Sequence, residues 1–413
     1  MNMFKMALLG GAALAVSAAG AQADELTALK AQIESLNARV ASMEAAPSVP
    51  AGYSLLTVSE GTSTVVPGNA LEARDQASYG TRATIISVLP TADAPAATTI
   101  EWSGYARAAI VYGMDTSRSF VRRDDNGTAL DLTDDFDVYG FDDDIDLFGR
   151  GQLKVVGKTD TAVGEVGARL QLRGNFHLRD TNAAMVMNEA WGWWAMTPEL
   201  TLGGGFTGSL GNIGYGYDGA CNCYYTDNAD VGMNPGDATQ MRLSWASGPF
   251  SAAVAVEDDE GVDDAIAGAG EIKYTGDMFN GEVSGYASSE DRWRAGAGIG
   301  FALGDIANIS MGAQYGDKGT GGGNDEFWTA SALVSVNLSD EIHAEVAYGH
   351  TDYNDRNYTV DAVLAGIYYD PVSQLTIGLE GEYIMDGSYT KTSRANADGV
   401  DRAQVDLVTV FRF

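Results

Sequence analysis

Between residues 100 and 413 apolar and polar side chains alternate with a period of two, in short runs punctuated by glycine, proline, asparagine and aspartate. That period belongs to a pleated strand with two unlike faces. In the run 100–112, Ile100, Trp102, Gly104, Ala106, Ala108, Ile110 and Tyr112 share one face, and Glu101, Ser103, Tyr105, Arg107 and Ala109 the other. In 327–338, Trp328, Ala330, Ala332, Val334, Val336 and Leu338 oppose Thr329, Ser331, Ser335 and Asn337. Sixteen strands are predicted in this way. The first eight are 100–112, 145–157, 162–174, 188–195, 200–207, 240–246, 250–257 and 269–275. The second eight are 279–286, 293–303, 306–315, 327–338, 342–348, 359–369, 375–384 and 402–413.

A soluble sandwich alternates too, so the connections must decide, and they alternate in length. Short turns include Lys158-Thr159-Asp160-Thr161, Thr197-Pro198-Glu199, Ser247-Gly248-Pro249, Gly304-Asp305 and Ser339-Asp340-Glu341. Between them lie polar loops at 113–144, 175–187, 208–239, 258–268, 316–326, 349–358 and 385–401, with only 287–292 brief. On the apolar faces Trp102, Trp245, Phe250, Phe301 and Phe411 fall near the short-turn ends, and Tyr112, Trp293, Tyr315, Trp328 and Tyr348 near the long-loop ends. Short turns on one rim, long loops on the other and an aromatic girdle at each interface predict an all-β fold. It is a transmembrane antiparallel β-barrel of about sixteen strands, large enough to keep an aqueous lumen.

The N-terminal quarter follows other rules. Lys5, the uncharged run from Met6 to Ala19 and Ala21-Gln22-Ala23 predict a cleaved export signal over 1–23, too short to span a bilayer. From Leu26, the residues Leu29, Ile33, Leu36, Val40 and Met43 recur at spacings of three and four. They predict a short periplasmic coiled-coil helix over 24–46, ended by Pro47 and Pro50. Residues 47–99 form a linker or small periplasmic segment, with strand-like stretches at Ser54–Val58 and Thr84–Leu89.

Charge narrows the function. Against 57 Asp and Glu stand 25 Lys and Arg, a formal net charge of −32, and loss of residues 1–23 removes one Lys to leave −33. Nucleic acid, which needs a basic face, is excluded as a partner. Three histidines, His177, His343 and His350, build no catalytic set with a nucleophile, so no enzyme is expected, and no cofactor or metal site is expected either. Gly203-Gly204-Gly205-Phe206-Thr207-Gly208 spells a dinucleotide fingerprint but lacks the helix that must follow it, so strand glycines are the reading. Cys221 and Cys223 are separated by one residue. They are left open between a strained disulfide, pairing between subunits, metal-ligating thiols and free thiols.

Strand parity places Arg107, Arg150, Lys154, Arg169 and Arg173 inside on the first three strands, with Arg402 joining them across the closure. The loop 208–239 carries Asp218, Asp227, Asp230 and Asp237 and no base. Folded inward, it would set acids against a basic wall and orient dipolar solutes at a constriction.

The last strand puts Ala403, Val405, Leu407, Phe411 and Phe413 on one face and Arg402, Gln404, Asp406 and Arg412 on the other. Its aromatic end, with Phe411 and Phe413, resembles the assembly signal of outer-membrane proteins. Together with Glu101-Trp102-Ser103-Gly104-Tyr105-Ala106-Arg107 it is similar to the alphaproteobacterial outer-membrane porin family over roughly 100–413. The resemblance implies a homotrimeric, sixteen-stranded general-diffusion channel with one loop folded inward. It also implies contact with outer-membrane lipid and lipopolysaccharide, and insertion by the barrel-assembly machinery. The expectation is passive diffusion of ions and small hydrophilic solutes with a preference for cations. The alternatives are a substrate-selective channel of the same fold and a closed-lumen surface structural or adhesin barrel.

Overall fold

The computed structural model describes residues 56–62, 82–88, 98–114, 120–124, 136–140, 143–177, 185–219, 231, 236–259, 265–317, 326–354, 358–385 and 402–413. The expected export signal and heptad helix lie outside these residues.

Two strands precede the barrel, β1 (Leu56–Thr62) and β2 (Arg82–Val88); β1 pairs with β2, and β2 with β3 (Thr98–Met114). They overlap the stretches expected at 54–58 and 84–89. Within the first long loop, β4 (Phe120–Asp124) and β5 (Phe136–Gly140) make a separate hairpin. The barrel continues from β3 through β6 (Asp143–Thr161), β7 (Gly164–His177), β8 (Met185–Ala195), β9 (Leu200–Gly208) and β10 (Asp237–Ser247). Next come β11 (Phe250–Asp258), β12 (Ile266–Thr275), β13 (Phe279–Ser288), β14 (Trp293–Leu303) and β15 (Ala307–Asp317). The circuit ends with β16 (Glu326–Asn337), β17 (Ile342–Tyr353), β18 (Tyr358–Val372), β19 (Leu375–Met385) and β20 (Arg402–Arg412).

These sixteen strands form a closed antiparallel barrel. Each matches one strand expected from the alternation. Closure is made by β20 on β3, with Gln404 opposite Gly113 and Arg412 opposite Tyr105. Beyond that ladder the Phe413 amide donates to the Gly104 carbonyl at 3.1 Å, and the Gly104 amide to the Phe413 carbonyl at 3.2 Å.

The distribution of side chains is inverted relative to a soluble protein. Val254, Val256, Ile272 and Val283 point outward and are more than half exposed, while Glu257, Glu271 and Glu282 on the same strands are buried. Burying charge while exposing β-branched apolar residues is unfavourable in water. It is favourable where the outside is hydrocarbon and the inside is wet. All ten aromatics assigned to the two girdles are exposed on the outward face. Some pack edge-to-face on neighbours along the rim, as do Phe250 with Tyr274 and Trp293 with Tyr315.

Two local expectations need correction. The turn placed at Lys158–Thr161 lies further on, at residues 162–163, because β6 runs to Thr161. There the Thr161 hydroxyl donates to the Gly164 carbonyl at 2.6 Å and accepts from the Val163 amide at 3.2 Å. Gly164 takes a φ of 114°, and a Cβ on it would meet the Ala195 carbonyl oxygen at 1.9 Å, so glycine is required. His350, expected in an external loop, is on β17, where its ring packs at a tilt against Trp328 and its Nδ1 lies 2.8 Å from Asp361. The alternation of β17 continues past Tyr348 through small and polar residues, which a hydropathy reading truncates.

Candidate channel constriction

The inward faces of β3, β6 and β7 carry the predicted bases. β6 points Arg150, Gln152, Lys154, Val156 and Lys158 inward, and β7 points Arg169, Gln171 and Arg173. Arg150, Lys154 and Arg173 are half-buried, so water inside the barrel reaches them. Arg173 donates from Nε to the Gln152 side-chain oxygen at 3.0 Å, and the Tyr105 hydroxyl donates to the same oxygen at 3.2 Å. The other two are more enclosed. Arg169 is buried and forms an ion pair with Glu189, which also accepts from the Thr207 hydroxyl at 2.9 Å. Arg107 is 4% exposed and has Asp406 as an electrostatic neighbour across the closure. The backbone of Arg402 begins β20, but its side chain is outside the described set.

The loop between β9 and β10 is described over residues 209–219, at Val231 and at Gly236. It turns inward at its root. The Ser209 amide donates to the Gly236 carbonyl at 3.0 Å, tying the two limbs together. Arg242 Nη2 and Gln240 Nε2 donate to the Gly208 carbonyl at 2.8 and 3.0 Å. On β11, Glu257 accepts from the Ser209 hydroxyl at 2.6 Å and the Leu210 amide at 3.0 Å.

The loop then crosses the far wall strand by strand. The Gly211 carbonyl accepts from Gln314 Nε2 on β15 at 3.2 Å. The Gly216 and Tyr217 amides donate to the hydroxyls of Ser310 and Ser331, each at 2.9 Å. The Tyr217 hydroxyl donates to Glu382 on β19, and Thr329 donates to the Val231 carbonyl at 3.0 Å. Leu210, Ile213, Tyr217 and Val231 are buried against the wall.

β14 makes room for this. On its inward face Gly296 lies under Ile213 and Gly298 under Tyr215, where a Cβ would come within 3.0 and 2.2 Å of those side chains. The Tyr215 phenol is pushed above its ordinary pKa by burial and then by the charges of Glu282 and Glu271, so it stays protonated.

Of the four candidate loop acids, Asp237 is half-buried at the start of β10, and Asp218 lies on a 3₁₀ turn at Gly216–Gly219. Asp227, Asp230, Cys221 and Cys223 lie outside the described residues. The sequence reading missed the anchors Glu257, Ser310, Ser331, Thr329 and Glu382. Their signal was present as inward polar positions, alongside the alternating glycines of β14. The glycines of 203–208 are in β9, where Gly203 lies under the Trp191 indole.

No protein-family model and no curated protein matches the chain. Among solved structures it resembles the outer membrane channel DcaP of Acinetobacter baumannii, with a TM-score of 0.56 and 15% identity over 76% of this chain and 97% of that one. It also resembles the anion-selective porin from Comamonas acidovorans, with a TM-score of 0.55 and 11% identity over 76% of this chain and all of that one. The chain has the fold of a bacterial outer-membrane porin. Identities this low establish architecture alone, so the porin barrel's lumen chemistry rests on its own residues.

Proposed function

We propose that this porin barrel is an outer-membrane channel for passive diffusion of ions and small hydrophilic solutes. One observation carries the reading. The inward side chains of Arg150, Lys154 and Arg173 on one wall remain half-exposed, whereas Glu257, Ser284, Gln314 and Ser331 beneath the loop are sealed. A loop packed to one side of a wet lumen narrows a pore without filling it. A closed structural barrel has no need of such a device.

In this reading residues 1–23 are the export signal, 24–46 a periplasmic helix, 47–99 a periplasmic segment and 100–413 the barrel. Phe411 and Phe413 serve recognition by the assembly machinery. The outward belt meets lipid and, on the long-loop side, lipopolysaccharide, and three copies associate. Ion preference is for cations. The fold itself does not fix the sign, since one solved relative is named as anion-selective. What favours cations is the charge of −33 after export, including ten Asp against three Arg in 113–144, together with the acids of 208–239.

Distant charges are screened beyond a Debye length of ~8 Å at physiological salt, so the loop acids count most. The test is the reversal potential of reconstituted channels in a salt gradient. Replacing Asp218, Asp227, Asp230 and Asp237 with Asn shifts it toward anions. An unchanged reversal potential removes those acids from the permeation path.

A further inference from the structure

β8 turns two tryptophans into the lumen, and they are not equivalent. Both rest on glycines of a neighbouring strand, Trp191 over Gly203 of β9 and Trp193 over Gly167 of β7. The free face of Trp191 is occupied, because the Arg242 guanidinium stands over it at 5.0 Å from the ring centre. Trp193 donates from its indole Nε1 to Glu165 Oε1 at 3.0 Å.

The glycine beneath Trp193 reveals how the indole lies. A Cβ on Gly167 would stand 2.1 Å from Cζ2, and 2.5 and 2.6 Å from the two ring atoms bonded to it. Such near-equal distances arise when the missing Cβ points at the face of the ring; an edge-on approach would leave the flanking atoms much further away. The indole therefore lies flat on the wall, one face on Gly167 and the other toward the lumen, and the residue is only half-buried. The cross-strand register sets Lys158, Gly167 and Trp193 in one row. The ring thus reaches across Gly167 toward Lys158, whose ammonium lies 3.9 Å from Glu165 Oε2.

We propose that Trp193 is a stacking platform for the ring of a neutral carbohydrate at the short-turn mouth of the channel, with Lys158 and Glu165 as its polar rim. A pyranose presents a flat C–H face and a ring of equatorial hydroxyls. The lumen-side indole face matches the first. The second needs donors and acceptors side by side, which the Lys158–Glu165 pair offers without imposing a net charge. A dianion or a simple cation would find its charge opposed by one member of the pair. The proposal rests on the channel reading and goes beyond it, because a pure diffusion pore needs no platform.

The test is ion current through the full-length protein in a planar bilayer, with methyl β-glucoside added on the short-turn side and sorbitol as a polyol lacking a ring face. The glucoside reduces current saturably, and sorbitol acts only in proportion to viscosity. Trp193→Ala raises the half-blocking concentration about tenfold, the scale of one aromatic stacking contact. Trp193→Phe retains most of the block and controls for folding, and Trp191→Ala leaves it unchanged. Equal effects of sorbitol and glucoside, or an unaltered block in Trp193→Ala, overturn the platform. Phenol competing as strongly as the glucoside would also overturn it, in favour of an aromatic slot. Normal conductance with no saturable block sinks the platform alone, whereas absence of conductance sinks the channel itself.

Discussion

Gly298 offers the sharpest test of how the pore is narrowed. A methyl group there, in Gly298→Ala, would stand 2.2 Å from Tyr215 Cδ2, 2.5 Å from Cγ and 2.8 Å from Cβ. Non-bonded carbons settle near ~3.5–4.0 Å, so the tyrosine must retreat by roughly 1.5 Å. A rotamer change cannot absorb this, because Cβ is itself too close and the loop backbone must move with it. The wall lies on one side of Tyr215, so the movement is toward the lumen. The overpacking costs about 1–3 kcal/mol of loop docking, the usual range for an inserted methyl in a packed site. Gly298→Ala should therefore lower single-channel conductance while the heat-modifiable folded barrel persists. Adding Tyr215→Gly should restore conductance, since the clash goes with the ring and its Cβ. If Gly298→Ala conducts like the parent, or if Tyr215→Gly fails to relieve it, the loop does not rest on β14 as described.

Other perturbations address the rest of the molecule. Val283→Arg, on the lipid-facing side of β13, should cost about 2–4 kcal/mol in reversible folding into bilayers. Gly268→Ala, whose new Cβ would meet nothing within 4 Å, should be neutral in the same assay. Deleting Phe413 removes both hydrogen bonds to Gly104 and should lower the yield of folded barrel in outer membranes, measured by heat-modifiability; undiminished yield would detach assembly from that residue. Deleting 24–46 should weaken the oligomer without abolishing it, as read by native mass. A strictly dimeric parent protein would show that the heptads, whose β-branched a positions favour two strands, govern assembly instead.

The wall of the barrel was legible because its information is local. Trp102 to Tyr112 states its outward face within one strand, and a turn such as Ser247-Gly248-Pro249 states its own reversal. Parity assigns Arg107 and Arg150 to the inner face without any knowledge of their partners. The loop's path was not legible in the same way. Gly216 meets Ser310 across 94 positions, and Tyr217 meets Glu382 across 165. Nothing near Tyr217 announces that a carboxylate on β19, four strands beyond Ser310 on β15, will receive its hydroxyl. Glu189 escaped notice for a related reason. As an acid beside Trp191 it looks like one more lumen charge, until the register of β7 on β8 sets it near Arg169.

The anchoring of the constriction loop also orders events in time. Its root bonds to β10 and β11, but the residues that receive Gly216, Tyr217 and Val231 belong to β15, β16 and β19, all translated later. A partly assembled barrel in which β15, β16 and β19 have not docked therefore has no berth for Gly216, Tyr217 and Val231. The tip must wait, swinging in an unfinished and wide cylinder, until the far wall is in place. Narrowing of the passage is accordingly a late step in maturation, and an assembly intermediate stalled before β19 docks would be leakier than the finished protein.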